Sequence, residues 1–399
     1  MEAYIYDAVR TPRGLAKPTG ALAQVHALEL LNQLYAALLK RTSIPIAAID
    51  DLILGCVTQI GEQGGNVARA SALYANLPGN IPALTINRFC SSSLDATGLA
   101  AERIQANACA ALLTGGVESM SRVSAFSDKP AWMLEPALSV KTRSVPIGIG
   151  ADLVASLQGF TRHDLDLLAQ QSQQRAQRAL EHGYFTHAVV PIETPDGQVV
   201  SCDEGVRGDV TLTQLAQLKP LFQELGAQGI DQALLHFYPH LGSIEHLHTV
   251  ASAPSMVDAA SLLLVGNNSV QNLSGSSPRA RIVGYASCCG PVTEVLTGAS
   301  AAVRMLLNQC NVTMPDIDLI EYNESYAAPT LKFLQDFKLD HDSVNVNGGA
   351  MSLGHPMGAT GGVLIATLLD ELERRDKSLG LVAISGATGM GSALLIERC

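Results

Sequence analysis

Two stretches of the chain repeat one arrangement, and that repetition limits the folds open to it. In the first, the strand-like run Ala83-Leu84-Thr85-Ile86 leads to a turn of small residues, Cys90 to Ser93, and a helix follows to about Asn107. In the second, the apolar alternation Val344 to Val346 breaks into glycines at 348, 349, 354, 358 and 361, passes one His-Pro at 355 and 356, and enters a helix from about Ala359 to Glu373. Upstream of each lies a matching strand, Ile49-Asp50-Asp51-Leu52-Ile53 and Ile317-Asp318-Leu319-Ile320. Downstream of each, another strand ends in glycines, Leu112 to Gly116 and Leu381 to Gly386. Two copies of one α/β unit account for the pattern, and strands joined by helices imply parallel pairing. The expected fold class is α/β, built as two similar halves.

The stretch between the halves differs in character. Residues 121 to about 250 hold a Gln-rich helix from about Asp164 to Glu181 and a polar run from Thr194 to Asp209, with few strand signals. This reads as an insertion folded over the core. The expected division is residues 1–120 plus about 251–275 as one half, 121–250 as the insertion, and 276–399 as the other half.

At 399 residues, with 47% hydrophobic and only 16% charged residues, the chain can bury a large core and subunit interfaces. A net charge of -11 argues against nucleic acid and anionic membrane faces as partners. Eight scattered cysteines without a CxxC pair read as reduced thiols in a cytoplasmic compartment. No apolar run reaches the length of a membrane span, and Met1 leads directly into a strand rather than into a signal peptide.

Two side chains stand where the echo turns from strand to helix. A helix N-terminus stabilises negative charge and lowers a thiol's pKa, so Cys90 is a candidate nucleophile. His355, fixed on a glycine-rich turn, is a candidate general base able to titrate near neutral pH. A Cys-His pair from opposite halves is an activated-nucleophile arrangement.

The blocks around these residues carry a resemblance. NRFCSSSLDA (Asn87 to Ala96) and VNVNGGAMSLGHPMGATG (Val344 to Gly361) resemble the nucleophile and histidine motifs of the thiolase family. GGVESMSR (Gly115 to Arg122) and NESYAA (Asn323 to Ala328) match two further blocks in the family's order, and the resemblance covers essentially the whole chain. It implies a duplicated layered sandwich with an inserted loop domain that binds coenzyme A. It implies roles for Cys90 as nucleophile, His355 as base, and Asn323 as the holder of a water at the thioester oxygen. A second oxyanion site maps to the backbone N–H groups of Cys90 and Ala387. For coenzyme A the matching residues are Arg207, Leu218 and Phe222; the alternative for Arg207 is an exposed arginine paired with Asp203 or Glu204. Pro146 and Pro254 replace family residues beside the pantetheine, and Tyr326 stands where the family usually has Phe. The segment between Phe222 and Thr249 is longer than in small biosynthetic thiolases; it carries His236, His240, His246 and His248, whose spacing fits no standard metal site.

One block departs from the family. Aligning Gly389-Met390-Gly391 with the C-terminal turn places Ser385 where the family has a second cysteine, the acid/base for the acetyl α-carbon. A thiol titrates near ~8.5 and a serine hydroxyl is far less acidic. The expected activity is thiolytic cleavage of a 3-ketoacyl-CoA, as in β-oxidation, or the reverse condensation. Coenzyme A is then a substrate, with no metal or other cofactor, and the partners are CoA thioesters and further copies of the chain in a homodimer or homotetramer, with β-oxidation subunits as possible company. The rivals are a thiolase-like CoA-thioester-binding protein, and an enzyme that transfers or hydrolyses acyl groups with weak or no C–C chemistry.

Overall fold

The computed structural model describes residues 1–399. Nine strands form one continuous path: β1 (Tyr4–Arg10), β2 (Asp51–Gly55), β3 (Ala83–Ile86), β4 (Ala111–Glu118), β5 (Val257–Gly266), β6 (Ala280–Cys289), β7 (Leu319–Tyr322), β8 (Leu379–Ser385) and β9 (Met390–Arg398). Their spatial order is β7-β8-β9-β6-β1-β5-β4-β2-β3. The first half pairs β3, β2 and β4 in parallel and adds β5 and β1 antiparallel. The second half repeats this with β7 and β8 parallel, then β9 and β6 antiparallel. The halves join through a short antiparallel contact of Tyr4 and Ile5 with Arg281 and Ala280.

Period-two alternation along these strands sorts their side chains between layers. Ile53, Leu112, Leu263, Val382 and Leu394 point into a core shared with α3 (Ser92–Gln105) and α8 (Thr360–Arg374). Their neighbours Leu52, Leu113 and Leu264 point instead toward α1 (Ala27–Thr42) and α2 (Val67–Tyr74). In the second half Leu381, Ala383 and Leu395 point toward α6 (Gly298–Cys310) and α7 (Ala327–Phe337). The molecule is therefore a layered α/β sandwich whose central layer is α3 packed on α8. That layer is buried on all sides, which is why the first thirteen residues of α8 are shielded and carry no charge before Asp370. Small residues let the helices approach: a side chain on Gly361 would collide with the Leu94 backbone at 2.1 Å.

The alternation at Val344 does not become a strand. It leaves one parallel bridge, Ile320 with Val344, because Asn345 turns left-handed at φ 48°. Its side chain replaces the ladder: Oδ1 accepts from the Tyr322 N–H at 2.8 Å and Nδ2 donates to Glu324 at 3.1 Å.

Between β4 and β5 the chain contributes no strand to this sheet. Its main helices are α4 (Ile147–Gln158) and α5 (Arg162–Glu181), the latter opened by a reciprocal cap between Thr161 and Asp164. Val154, Leu165, Leu168 and Ala169 pack on Ala327, Ala328 and Met351, which seats this segment over the second half. No helix is long and apolar enough to cross a membrane.

Candidate active site

Cys90 sits on a wound turn. Asn87 leaves β3, and its Oδ1 accepts from the Phe89 N–H at 2.8 Å while its Nδ2 donates to the Val57 carbonyl at 3.1 Å. Phe89 is left-handed at φ 48°, a conformation that costs of order 1–3 kcal/mol and persists only where neighbours enforce it. Ser92 enforces it here: its hydroxyl donates to the Phe89 carbonyl at 2.6 Å and accepts from the Arg88 N–H at 2.9 Å. Cys90 follows, buried, immediately ahead of α3. The sequence argument expected a lowered thiol pKa, and the structure corrects it. Burial pushes the thiol up to about 12, outweighing its own backbone N–H, and the Glu118 charge adds to the rise. The Cys90 side chain therefore rests as a thiol, which would need a base to become a nucleophile.

His355 is brought to this turn by contacts along its loop. The Gly362 N–H donates to Ser93 Oγ at 3.0 Å, and Gly361 rests on Leu94. The His355 N–H donates to the Ser255 carbonyl at 2.9 Å. In the ring, Nδ1 lies 2.8 Å from Thr360 Oγ1, while Nε2 is buried without a partner. Burial, with the Arg13 charge acting in the same direction, pushes the imidazole down to about 3, so the expected titration near neutrality does not occur. A neutral ring with Nδ1–H donating to Thr360 leaves Nε2 as the proton acceptor.

Asn323 follows β7 and its N–H donates to the Ala383 carbonyl at 3.0 Å. Its Nδ2 donates to Ser325 at 2.8 Å; Oδ1 is buried with no partner, poised to accept from a water or a substrate group. The turn opening at Ala387 lies near the Cys90 turn: a side chain on Gly386 would make ordinary contact with Phe89 and Arg88. Ser385 is placed differently. It follows Ile384, which belongs to the central core, and its own Oγ accepts from the Ala299 N–H at 3.0 Å on the α6 side of the sheet. It makes no hydrogen bond to Cys90, His355 or Asn323.

Of the residues expected at coenzyme A, Phe222 is packed into the fold. Its ring fills the space over Gly148 and meets Tyr326 edge-on at 6.0 Å. Leu218 is partly buried, its carbonyl accepting from Arg162 at 3.0 Å. Arg207 is exposed and the alternative pairings are excluded: Asp203 is buried in a two-pronged bond from Arg10, and Glu204 accepts from the Leu15 and Ala21 N–H groups and faces Lys17. Pro146 is exposed ahead of α4, and Pro254 is partly buried.

The histidines of the long segment are explained without a metal. Asp152 holds His246 at 2.9 Å and His248 at 2.6 Å, and His246 reaches Asp231 with its other nitrogen at 2.9 Å. The Ala328 N–H donates to His248 Nε2 at 3.2 Å, which ties the segment to the start of α7. His236 and His240 lie against Phe237 and Tyr238.

Sequence reasoning missed the residues that hold His355 in place. Thr360 fixes its ring. Glu118, in a block matched but given no role, accepts from the Gly358 N–H at 3.0 Å, from Val57 and Thr58 at 3.0 and 3.1 Å, and from Gln63 at 2.9 Å. Ser172 donates to Glu324 and accepts from the Gly349 N–H. A buried acid among small residues was the only available signal. A cleft of about 590 Å³ lies elsewhere, between α5 and the end of α8, and includes Arg175, Arg178, Arg374 and Arg375.

Residues 3–229 match the family described as "Thiolase, N-terminal domain" and residues 276–398 "Thiolase, C-terminal domain". The chain is 36% identical over 420 aligned positions to a beta-ketoadipyl-CoA thiolase of Acinetobacter baylyi, covering 99% of both chains. It is 36% identical over 403 positions to a 3-ketoacyl-CoA thiolase of Photorhabdus laumondii, covering 99% of this chain and 98% of that one. Among solved structures it resembles the Bacillus anthracis acetyl-CoA acetyltransferase, with a TM-score of 0.86, 30% identity, and coverage of 100% and 99%.

Proposed function

The chain belongs to the thiolase family, and from that premise we propose that it is an acyl-CoA:acetyl-CoA C-acyltransferase that cleaves 3-ketoacyl-CoA by thiolysis, or runs the reverse condensation, through an acyl-Cys90 intermediate. The observation that carries this reading is a buried thiol beside a loop that presents a buried imidazole, its Nδ1 engaged by Thr360 and its Nε2 free. His355 Nε2 takes the proton of Cys90, and the thiolate attacks the 3-keto carbon. The C–C bond breaks, its electron pair going to the α-carbon of the acetyl-CoA enolate, which then takes a proton. The thiol of free coenzyme A collects the acyl group and Cys90 regains its proton. Asn323, with its free Oδ1, is suited to hold a water at the enolate oxygen, and the Cys90 and Ala387 N–H groups to stabilise the tetrahedral oxyanion; one such donor contributes on the order of 3 kcal/mol.

Arg207, Leu218 and Phe222 are proposed for coenzyme A, bound under the insertion of residues 121–250. Coenzyme A is a substrate here, and the chemistry written above requires no further cofactor. Cytoplasmic location and a homodimer or homotetramer complete the proposal. The edge position of β3, with exposed Leu84 beside exposed Leu73 and Tyr74, supports pairing of copies.

One observation favours a second reading, acyl transfer with weak C–C chemistry: the Ser385 hydroxyl is occupied by the Ala299 N–H. The test is loss of the Mg²⁺–acetoacetyl-CoA enolate absorbance on adding protein and coenzyme A, repeated with 3-ketoacyl-CoAs of rising length, alongside intact-mass detection of acyl-Cys90. Acylation without cleavage at any length selects the second reading. No acylation of Cys90 overturns both.

A further inference from the structure

His246 has a carboxylate at each ring nitrogen. Nδ1 lies 2.9 Å from Asp152 Oδ2, Nε2 lies 2.9 Å from Asp231 Oδ2, and the ring is 7% exposed. A neutral imidazole donates from one nitrogen and accepts at the other, so it satisfies only one ionised carboxylate. Both bonds therefore need an imidazolium, and the imidazole is the most basic of the three groups. His248 is the contrast. Its Nε2 accepts from the Ala328 N–H, so Nδ1 carries the proton donated to Asp152 and the ring is neutral. Asp152 also accepts from the Leu247 and His248 N–H groups at 3.0 Å; burial opposes its charge, but these donors hold its pKa below the usual carboxylate range. Asp231 has no such company: its Oδ1 is buried without a partner, and its carboxylate's hydrogen bond comes from His246.

Direct contacts lead from this pair to Phe222. Gly226 rests on it: a Cβ there would lie 2.5 Å from both Asp231 Oδ1 and His246 Nε2. The Gly226 N–H in turn donates to the Phe222 carbonyl at 2.9 Å. On the other side of Phe222, the Leu221 N–H donates to the His248 carbonyl at 2.9 Å. Asp231 opens the helix Asp231–Phe237, whose Leu234 packs with Ile149 and Leu153 of α4 in the cluster that also takes up the Phe222 ring. His246 is thus the ionic clamp between α4 and the turn that carries Phe222.

We propose that His246, as an imidazolium gripped by Asp152 and Asp231, is a positioning residue for coenzyme A thioesters: it fixes the 222–249 segment on α4 and so holds the Phe222 ring in place. The inference rests on the reading of Phe222 as a coenzyme A contact and adds a residue that does not touch the substrate. The titratable groups around the ring are Asp152 from α4, Asp231 from the helix Asp231–Phe237, and His248 and Glu245 on its own stretch; Tyr326, ahead of α7, stands edge-on to His248. Burial alone would lower the imidazole's pKa, but the bonds and charges of Asp231 and Asp152 raise it above the ordinary 6.5. The clamp is therefore present at and below 6.5 and is lost as pH rises through the higher folded value.

The test is single-turnover acylation of Cys90, read by intact mass at rising acyl-CoA concentrations between about pH 7 and about 9.5, above the second phosphate ionisation of the ligand near ~6. In wild type the half-saturating concentration is expected to rise about fivefold or more toward the alkaline end, while the limiting rate does not fall. His246→Gln is neutral at every pH and is expected to sit about tenfold above wild type at about pH 7, with no further rise. Asp231→Asn suits a neutral ring, since its Nδ2–H donates to Nε2 while the ring's Nδ1–H still donates to Asp152. It is expected to abolish the alkaline rise, which a merely structural role would leave in place. A wild-type half-saturation that is flat across the window overturns the proposal, as does a His246→Gln protein whose limiting rate falls with half-saturation unchanged. If His246→Gln does not fold, Asp231→Asn decides: an alkaline rise equal to that of wild type overturns the clamp. Failure of wild type to acylate Cys90 at any concentration is a failure of the functional reading instead, and the same pH series of coenzyme A binding, measured by calorimetry on the same proteins, then decides the role of His246.

Discussion

The two halves put a candidate catalytic side chain at the same station, between an edge segment and the central helix, yet hold it by different means. In the first half the edge strand is real and the nucleophile turn is closed locally: Asn87, Ser92 and the Arg88 backbone all lie within three residues of Cys90. In the second half the edge strand has shrunk to one bridge, and the base rides on a loop held from far away by Glu118, Glu324 and Ser172. A nucleophile has to be strained into one conformation, which neighbours can do. A base must be aimed at another half's side chain, so its supports come from elsewhere in the fold. Changes near Cys90 should therefore damage chemistry, and changes remote from His355 should damage chemistry and fold together.

Replacing the nucleophile tests the first arm most severely. Cys90→Ser is expected to abolish the acyl-enzyme and lower acyl transfer by on the order of 10³-fold or more, with stability within about 1 kcal/mol. Acylation moving to Cys288, Cys289 or Cys56 in a peptide map would show that this station is not the reactive one. His355→Ala comes next, at roughly 10²–10⁴-fold. It carries a pH signature. The folded imidazole is held down to about 3 against an ordinary 6.5, so the unfolded chain binds the proton first and the stability contributed by neutral His355 is lost as pH falls below 6.5 toward about 3. Thermal melts across that range should slope less steeply in His355→Ala than in wild type; equal slopes would mean the ring is not kept neutral.

The contrast between local and remote support is sharpened by a pair. Glu118→Gln puts an amide where four N–H donors converge and is expected to cost about 2–3 kcal/mol, with a large fall in acyl transfer. Ser92→Ala removes a local brace and is expected to cost about 1 kcal/mol, with activity reduced only several-fold. Chemical denaturation and acylation rates on both variants check this, and a reversed order would break the comparison.

What the residues revealed in advance follows the same division. The echo of strand, small-residue turn and helix was legible because each half signals its elements locally, and the same signals put Cys90 and His355 on the two turns. The fate of Val344 to Val346 was not, because an asparagine side chain took over the ladder's bonds. Neither were Glu118, Thr360 and Arg13, since a polar residue that will be buried against a loop distant in sequence carries no periodic mark. The thiol pKa went opposite to expectation and the imidazole fell below its expected neutral range for one reason: a helix end and a rigid turn are local features, whereas burial is a property of the assembled layers.

The last expected effect concerns the station at the end of β8. On the proposed alignment Ser385 stands in the place of the family's acid/base cysteine, and a hydroxyl is too weak an acid to exchange the acetyl α-proton readily near neutrality. A well-placed acid/base supplies about 10²–10⁴-fold. The structure argues for a smaller gain when the thiol is restored. The side chain at 385 leaves the sheet toward α6, and its oxygen is held by the Ala299 N–H at 3.0 Å. Sulfur is a weak acceptor, so Ser385→Cys loosens that bond and frees the side chain to rotate toward the Ala387 turn that lies near Phe89. Only part of its time is then spent in a useful rotamer. Ser385→Cys is therefore expected to raise cleavage of 3-ketoacyl-CoA by about tenfold and to change Cys90 acylation by less than about twofold, since acylation uses His355 and not this residue. Steady-state thiolysis and single-turnover acylation, measured on the same preparation, separate the two. Wild-type cleavage at an ordinary enzymatic rate, with no gain in Ser385→Cys, would mean that another group delivers the proton and that the serine is only a brace for α6.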